Sequence, residues 1–368
     1  MRFPLALNHI LSILTVFILI TLFSTSSHLA LATSNYESVE IIELGEILTG
    51  GSAVCVEVID EIAYLTDDFT GFHIIDVSSP VNPVELAFEY IPNSYFFDLD
   101  MASNKAYVTS LFQGLFIYDI SDPTDPLEIG RYSDDRTFSQ GIIYKNNIVY
   151  IADGNNGLEI IDVSSPTTPV KIGNFTDIGD VRTLFIKENL CFVGSTINGS
   201  HTSLILLDVT VPTSPSHIST YTTLGNVMDI CVNESLVFYS TWEYGFEIID
   251  YEDISSPYLL SSYNNVSSSS HIIVEDSILY AATVTGGVKV IDFSNFSQPI
   301  ELGHYFDGGQ ALGLCVLDNL VYVADKNGGL EILEMKFNFV EETSAFTLII
   351  MLSIFPVSYC YRKRFKRS

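Results

Sequence analysis

The sequence predicts an all-β protein. The expected form is a seven-bladed β-propeller with four-stranded antiparallel blades, closed by the N-terminal strand and followed by a C-terminal transmembrane helix. Three observations carry this. An apolar pair followed by an acid ends a strand-like segment seven times: Ile74-Ile75-Asp76, Ile117-Tyr118-Asp119, Ile160-Ile161-Asp162, Leu206-Leu207-Asp208, Ile248-Ile249-Asp250, Val290-Ile291-Asp292 and Ile332-Leu333-Glu334. The steps between the acids are 43, 43, 46, 42, 42 and 42 residues, the period of propeller blades. The last copy is followed by only a few strand-like residues, and a spare strand stands at the other end of the chain.

The signals of each unit follow in order. Five residues before the acid stands Gly71, Gly114, Gly157, Ser203, Gly245, Gly287 or Gly329, which reads as a tight hairpin turn with positive φ. Seven residues after the first six acids comes a proline (Pro83, Pro126, Pro169, Pro215, Pro257, Pro299), and the first four repeats add Pro80, Pro123, Pro166 and Pro212. Proline ends the central strand and opens the loop to the edge strand. Twelve residues before the acid stands Tyr64, Tyr107, Tyr150, Phe238, Tyr280 or Tyr322. In the fourth repeat Phe192 lies 16 before Asp208, so Thr196–Ser203 carries a four-residue insertion. The first unit then reads as strands Ala53–Ile59, Ile62–Thr66, Phe72–Val77 and Val84–Tyr90. The last stops at Met335 after three. Val39–Ile47 contains Glu43-Leu44-Gly45, which matches Glu301-Leu302-Gly303 and Glu128-Ile129-Gly130. It supplies the missing fourth strand and removes the open edges.

The pattern Tyr150-Ile151-Ala152-Asp153, Gly157-Leu158-Glu159-Ile160-Ile161-Asp162-Val163-Ser164-Ser165-Pro166, Pro169 resembles the LVIVD-repeat family of secreted and surface β-propellers. The resemblance covers residues 39–335. It implies the fold and says little of activity, because the motif residues are structural.

The flanks suggest export and anchoring. Residues 1–32 read as a signal peptide, with Arg2, an apolar run Ile10–Phe23 and the cleavage site Ala30-Leu31-Ala32. Residues 33–38 form a short linker, 39–336 the propeller and 337–343 a spacer. Residues 344–361 are an apolar run of ~27 Å if helical, enough for a thin membrane span. The tail 362–368 is basic and belongs in the cytoplasm. The expected product is a single-pass cell-surface protein with a monomeric propeller outside. The charge fits: residues 33–343 hold all 45 acids and only 10 of the 16 basic residues. Such a surface excludes nucleic acid as a partner. Five cysteines make no disulfide framework, although an oxidising compartment would permit a bridge between Cys55 and Cys315 of the first and last repeats.

The repeated acid reads as scaffold, accepting backbone N–H bonds from the turn that follows. A second register varies: Cys55, Asp98, Gly141, Thr183, Asp229, His271 and Gly313 on the first strand of each unit. The next position is always apolar, and alternation places the variable set on the opposite face, toward the channel. Asp98, Asp229 and His271, joined by Asp100 and Arg182, are candidate ligand-binding residues. The first three are candidate ligands for a divalent cation such as calcium, and no other cofactor is expected. Trp242 and the Trp242-Glu243-Tyr244 turn, together with the inserted loop, are candidate contact points. Sequons at Asn174, Asn198, Asn233, Asn265 and Asn295 become usable on export. No nucleophile–base or phosphate-loop motif is present, so the expected role is non-enzymatic: a membrane-anchored scaffold binding a cell-surface protein or glycan. The alternatives are a cation- or small-ligand-binding propeller acting at the tunnel mouth, with hydrolase or lyase activity as its extreme form, and a structural surface-layer component.

Overall fold

The computed structural model describes residues 34–340 except 135–137, 198–200 and 266–267. The predicted signal peptide, the apolar run 344–361, the basic tail and the sequon at Asn198 lie outside the described residues. No helix among the described residues is long and apolar enough to cross a membrane.

Twenty-eight strands form seven four-stranded antiparallel sheets. After β1 (Tyr36–Ile47), blade 1 is β2 (Ala53–Ile59), β3 (Ile62–Asp67), β4 (Gly71–Asp76) and β5 (Val84–Glu89). Blade 2 is β6 (Phe96–Ala102), β7 (Lys105–Ser110), β8 (Gly114–Asp119) and β9 (Leu127–Tyr132). Blade 3 is β10 (Ile142–Lys145), β11 (Ile148–Ala152), β12 (Leu158–Asp162) and β13 (Val170–Phe175). Blade 4, with the insertion, is β14 (Asp180–Lys187), β15 (Leu190–Ile197), β16 (His201–Asp208) and β17 (Ser216–Thr222). Blade 5 is β18 (Val227–Asn233), β19 (Leu236–Thr241), β20 (Gly245–Asp250) and β21 (Tyr258–Tyr263). Blade 6 is β22 (Ser269–Glu275), β23 (Ile278–Thr283), β24 (Gly287–Asp292) and β25 (Ile300–Tyr305). Blade 7 is β26 (Ala311–Leu317), β27 (Leu320–Asp325) and β28 (Gly329–Phe339), completed by β1.

The expected ring closure is therefore present, and it is longer than expected. Ile42 pairs with Glu334, and the ribbon continues through Val39↔Phe337 to Tyr36↔Phe339. Part of the predicted linker and spacer is thus strand. Tyr36 sets its ring at a tilt to Phe337 (4.9 Å) and Phe339 (5.3 Å), an aromatic contact that ties the ends of the ribbon together.

The core lies between blades. Tyr64, Phe72 and Ile74 of blade 1 pack on Leu99, Val108 and Phe116 of blade 2. Across the closure, Leu330 and Ile332 of blade 7 pack on Val56 and Leu65 of blade 1. Such facing layers explain the uniform apolar positions of each repeat. The repeated acid is scaffold as expected: Asp76, Asp119, Asp162, Asp208, Asp250 and Asp292 each accept the N–H two residues on, at 2.7–3.0 Å. Bonds from the side chain and the N–H of the residue two on hold the first four below the usual carboxylate range. The hairpin glycine is needed twice over. Gly114 has φ +77°, and a Cβ on it would stand 2.3 Å from the Tyr132 carbonyl oxygen.

Candidate functional site

The first strands line a central channel, and side chains there sit in three levels. In six of the seven blades the first-strand pairing slips where β2, β6, β14, β18, β22 and β26 begin, as between Ala53 and Cys55 or Val227 and Asp229. A β-bulge of this kind turns two consecutive residues to one face. The upper level therefore includes Val54, Phe97, Arg182, Met228, Ser270 and Leu312, and the middle level is the variable register. Two residues further on, Glu57, Asp100, Ile143, Phe185, Cys231 and Cys315 line the lower level.

Two chambers result. The lower is a cavity of about 500 Å³ and the upper one of about 300 Å³. Cys55, Asp98, Asp229 and His271 border both. The structure thus brings Asp98, Asp229 and His271 together at the waist of the channel, as the alternation requires. Asp100 lies in the lower chamber alone, and Arg182 and Trp242 in the upper alone. Arg182 stands apart because the bulge lifts it a level, and its guanidinium is bound to Asp180 (2.9 Å).

The polar waist residues already have structural work. First strands are the inner edges of their sheets, so half of their N–H groups face no strand partner. The side chain from the preceding blade accepts those bonds. Ile142 N–H donates to Asp98 Oδ2 (3.0 Å) and Tyr144 N–H to Asp100 Oδ2 (2.6 Å). Ile272 N–H donates to Asp229 Oδ2 (2.8 Å) and Leu314 N–H to His271 Nδ1 (3.3 Å). The last bond leaves the neutral His271 ring with its proton on Nε2, 3.6 Å from Asp229 Oδ2. The thiols of Cys231 and Cys315 meet the Val274 and Val58 N–H groups in the same way. All four described cysteines are free thiols, so Cys55 and Cys315 are not bridged here.

Electrostatically the lower chamber is unusual. Burial, then Asp100 and Asp98, push the Glu57 carboxyl up to about 8. Burial also raises Asp98, against the bonds from Cys55 and Ile142 that favour its charge. The Cys55 thiol is raised well above its ordinary value by burial and by Asp98. None of these thiols is an activated thiolate.

The upper chamber differs in character. Apolar residues (Val54, Phe97, Leu111, Met228, Leu312) share its walls with Gln140, Arg182, Thr183, Ser270 and the waist residues, with Trp242 at the mouth. Asp68 and Lys326 stand in one corner, and burial brings the Asp68 carboxyl up to about 6 although Ser52 and Lys326 lower it. The Ser52 hydroxyl and Asp68 Oδ1 approach each other, yet each is buried without a hydrogen bond of good geometry.

Outside the mouth an aromatic row runs over two hairpins joining second and third strands (Phe69, Phe112) and two loops leading into first strands (Tyr95, Phe138). Phe69 meets Tyr95 (6.0 Å), Tyr95 meets Phe112 (5.5 Å) and Phe112 meets Phe138 (5.9 Å), all edge to face. Phe69 is 63% exposed and Phe112 57%. Trp242 and Tyr244 are exposed on the same side, as expected for that turn. Sequence reasoning missed the row. Its signal was available in two of the hairpins, Asp68-Phe69 and Leu111-Phe112, where a large apolar residue sits in a position that turns normally leave polar.

Two acidic groups were also missed. Asp134, Asp153 and Glu159 place one carboxylate oxygen each within 4.8 Å of the others, and so do Asp307, Asp325 and Glu331. These are the same repeat positions in blades 3 and 7. In blade 3 Lys171 binds Glu159, whose carboxyl burial still raises to about 7. In blade 7 Glu43 stands in the place of Lys171, and burial with Asp307 and Asp325 raises Glu331 to about 8. A hydroxyl–imidazole–carboxylate line, Thr70–His73–Glu85 (2.8 and 2.6 Å), also appears. It resembles a hydrolytic triad, but Thr70 borders neither chamber, and His73–Glu85 occupies the position of the Glu159–Lys171 and Lys289–Glu301 ion pairs. It is a cross-strand pair of the scaffold.

Of the sequons, Asn174 and Asn265 are exposed. Asn295 spends its carbonyl on Ser297 N–H (3.1 Å), and Asn233 donates to the Asp276 carbonyl (3.4 Å).

Fold and channel define a β-propeller repeat protein. The chain belongs to the LVIVD-repeat family: the LVIVD repeat model matches residues 50–90, 98–134, 139–177, 224–265, 268–307 and 308–334. The unmatched stretch is blade 4, which carries the insertion. Among solved structures, a crystal structure of the computationally designed Ika8 protein aligns with a TM-score of 0.58 at 12% identity, over 79% of this chain and 99% of that one. That likeness concerns the fold alone. No curated protein matches the chain.

Proposed function

We propose that this propeller is a non-enzymatic binding scaffold, displayed outside the cell on the C-terminal anchor, with the hairpin face around the upper chamber as its binding face. The observation that carries this is the row Phe69–Tyr95–Phe112–Phe138, with Phe69, Phe112 and Phe138 exposed and Trp242 across the mouth. Exposed apolar surface of this extent is costly in a soluble monomer and suits the core of an interface.

Chain direction supports the choice of face. Tyr36 and Phe339 pair at the lower end of blade 7, below the end of the other third strands. Both chain ends leave there, and only residues 341–343 separate Val340 from the apolar run, a reach of about 10 Å. An anchor in that run keeps the lower rim near the membrane and leaves the upper face open to a partner, a protein or a glycan of the cell surface. The test is binding of cells by the full chain carrying Phe69→Ala and Phe112→Ala. Unchanged melting with lost cell binding supports the reading; undiminished cell binding removes it.

A second reading, ligand binding within the channel, draws on the orphaned Ser52 and Asp68 atoms rather than on the backbone-tied waist residues. Metal analysis of the purified chain separates a cation from an organic ligand.

A further inference from the structure

The upper chamber and the aromatic row are one surface. Leu111 borders the chamber and its neighbour Phe112 carries the row, so the hairpin of blade 2 joins the two. Trp242 borders the chamber from the opposite side of the mouth and is itself exposed. At about 300 Å³ the chamber is at the small end of ligand sites. It holds one ring-sized group rather than a chain of them. A buried pocket beside exposed apolar contacts is an arrangement in which a single inserted side chain can dominate an interface.

The polar corner narrows the chemistry. Buried polar atoms without partners are costly, and a ligand that satisfies them recovers that cost. Ser52 Oγ can donate or accept, Asp68 Oδ1 accepts, and the Lys326 ammonium stands near Asp68. Asp68 itself lines the chamber. The complementary group donates one hydrogen bond, accepts another and carries no charge. A phenol does all three, with an apolar ring for Val54, Phe97, Leu312 and Met228. An aliphatic ammonium would meet Lys326. Gln140, Arg182, Thr183 and Ser270 also line the chamber, so a sugar is the competing occupant and methyl glucoside its probe.

We propose that the upper chamber is a socket for one phenolic side chain, a tyrosine presented by a protein partner that lies across the aromatic row. This rests on the scaffold reading for its biological meaning, but the socket itself is testable without the partner.

The probe is p-cresol, the tyrosine side chain alone, added to the full chain in detergent. Trp242 is the only tryptophan of the chain and stands at the mouth, so its emission, excited where p-cresol does not absorb, reports occupancy. The expected result is a saturable change with p-cresol and a response to toluene roughly tenfold weaker, since toluene leaves the corner unsatisfied. Asp68→Leu should bring p-cresol down to the toluene level, and Leu312→Phe should fill the chamber and abolish both, with melting temperatures confirming that each variant folds. No saturable change with p-cresol, equal responses to p-cresol and toluene, or a response to methyl glucoside in place of p-cresol would each overturn the proposal. A chain that binds p-cresol but no cell surface sinks the scaffold reading and leaves the socket standing. One that binds cells but not p-cresol does the reverse.

Discussion

A Cβ on Gly45 would stand 2.5 Å from the carbonyl oxygen of Pro80. Gly45 lies in β1, the N-terminal strand that completes blade 7, and Pro80 opens the outer loop of blade 1. The same contact recurs between Gly130 and Pro166 and between Gly173 and Pro212. Blades 7, 2 and 3 thus rest their outer-strand glycine under the proline carbonyl of the next blade, whereas Gly303 of blade 6 meets the Val39 carbonyl. Two separate sequence signals, the glycine of Glu-Leu-Gly and the earlier proline, are the halves of one joint.

Gly45→Ala should therefore loosen the closure itself. Forcing backbone apart at a packed contact costs about 1–3 kcal/mol, read as a lower denaturant midpoint. Deleting β1 should do more: an open β28 edge is a template for pairing, and the truncated chain should self-associate in sedimentation. A monomeric truncated chain would contradict the role given to β1.

Stability should fall as pH rises through the neutral range. Glu331 has its carboxyl raised to about 8 by burial and its acidic neighbours, against an ordinary 4.5. The folded state therefore holds a proton that the unfolded state has released. The stability this gives is complete below about 4.5 and is lost as pH rises toward 8. Glu331→Gln keeps the neutral shape and should flatten the slope of melting temperature between those values. An unaltered slope would mean that Glu331 is ionised in the fold.

Glu247 offers a stabilising substitution. It is 1% exposed, both its oxygens lack hydrogen-bond partners, and burial raises its carboxyl. In blades 3 and 6 the same position is paired with a charge from the fourth strand, whereas in blade 5 Leu259 holds the place of that charge. Glu247→Met should gain ~1–3 kcal/mol by removing an unsatisfied buried group. A loss measured in urea would show that a polar partner serves Glu247 in solution.

The membrane-facing end can be read by energy transfer. With the full chain in vesicles bearing a surface acceptor, Trp242 should transfer weakly. Phe339→Trp in a Trp242→Phe background should transfer strongly. The reverse order would invert the orientation, and a chain that fails to float with the vesicles would remove the anchor altogether.

Most of the architecture was legible because it repeats. The strand-ending acids, the hairpin glycines and the prolines each impose one backbone need seven or nearly seven times, and β1 could be placed by matching Glu43-Leu44-Gly45 to its sister strands. The channel position of Asp98, Asp229 and His271 followed from alternation. Their employment did not, because it depends on which N–H of the neighbouring blade lies within reach. Arg182 rose a level through a bulge that no residue type announces. The aromatic row joins Phe69, Tyr95, Phe112 and Phe138 across three blades, and a linear pattern holds no record of which hairpins stand side by side. The acidic groups of blades 3 and 7 were hidden for the same reason: Asp307 and Glu331 come from different sheets.

The ribbon that shuts the ring also sets the order of events in making it. Asn338 donates to Ser38 across 300 positions of sequence (3.0 Å). Bringing such distant segments together costs about 5 kcal/mol of chain entropy, and non-local strand pairing is slow. During synthesis β1 emerges first and waits without its mate until β28 is complete, so the maturing arc carries two unmatched edges for its whole growth. A circular permutant that moves β1 behind β28 would make blade 7 as local as its sisters. It should refold faster and aggregate less, with the finished ring unchanged.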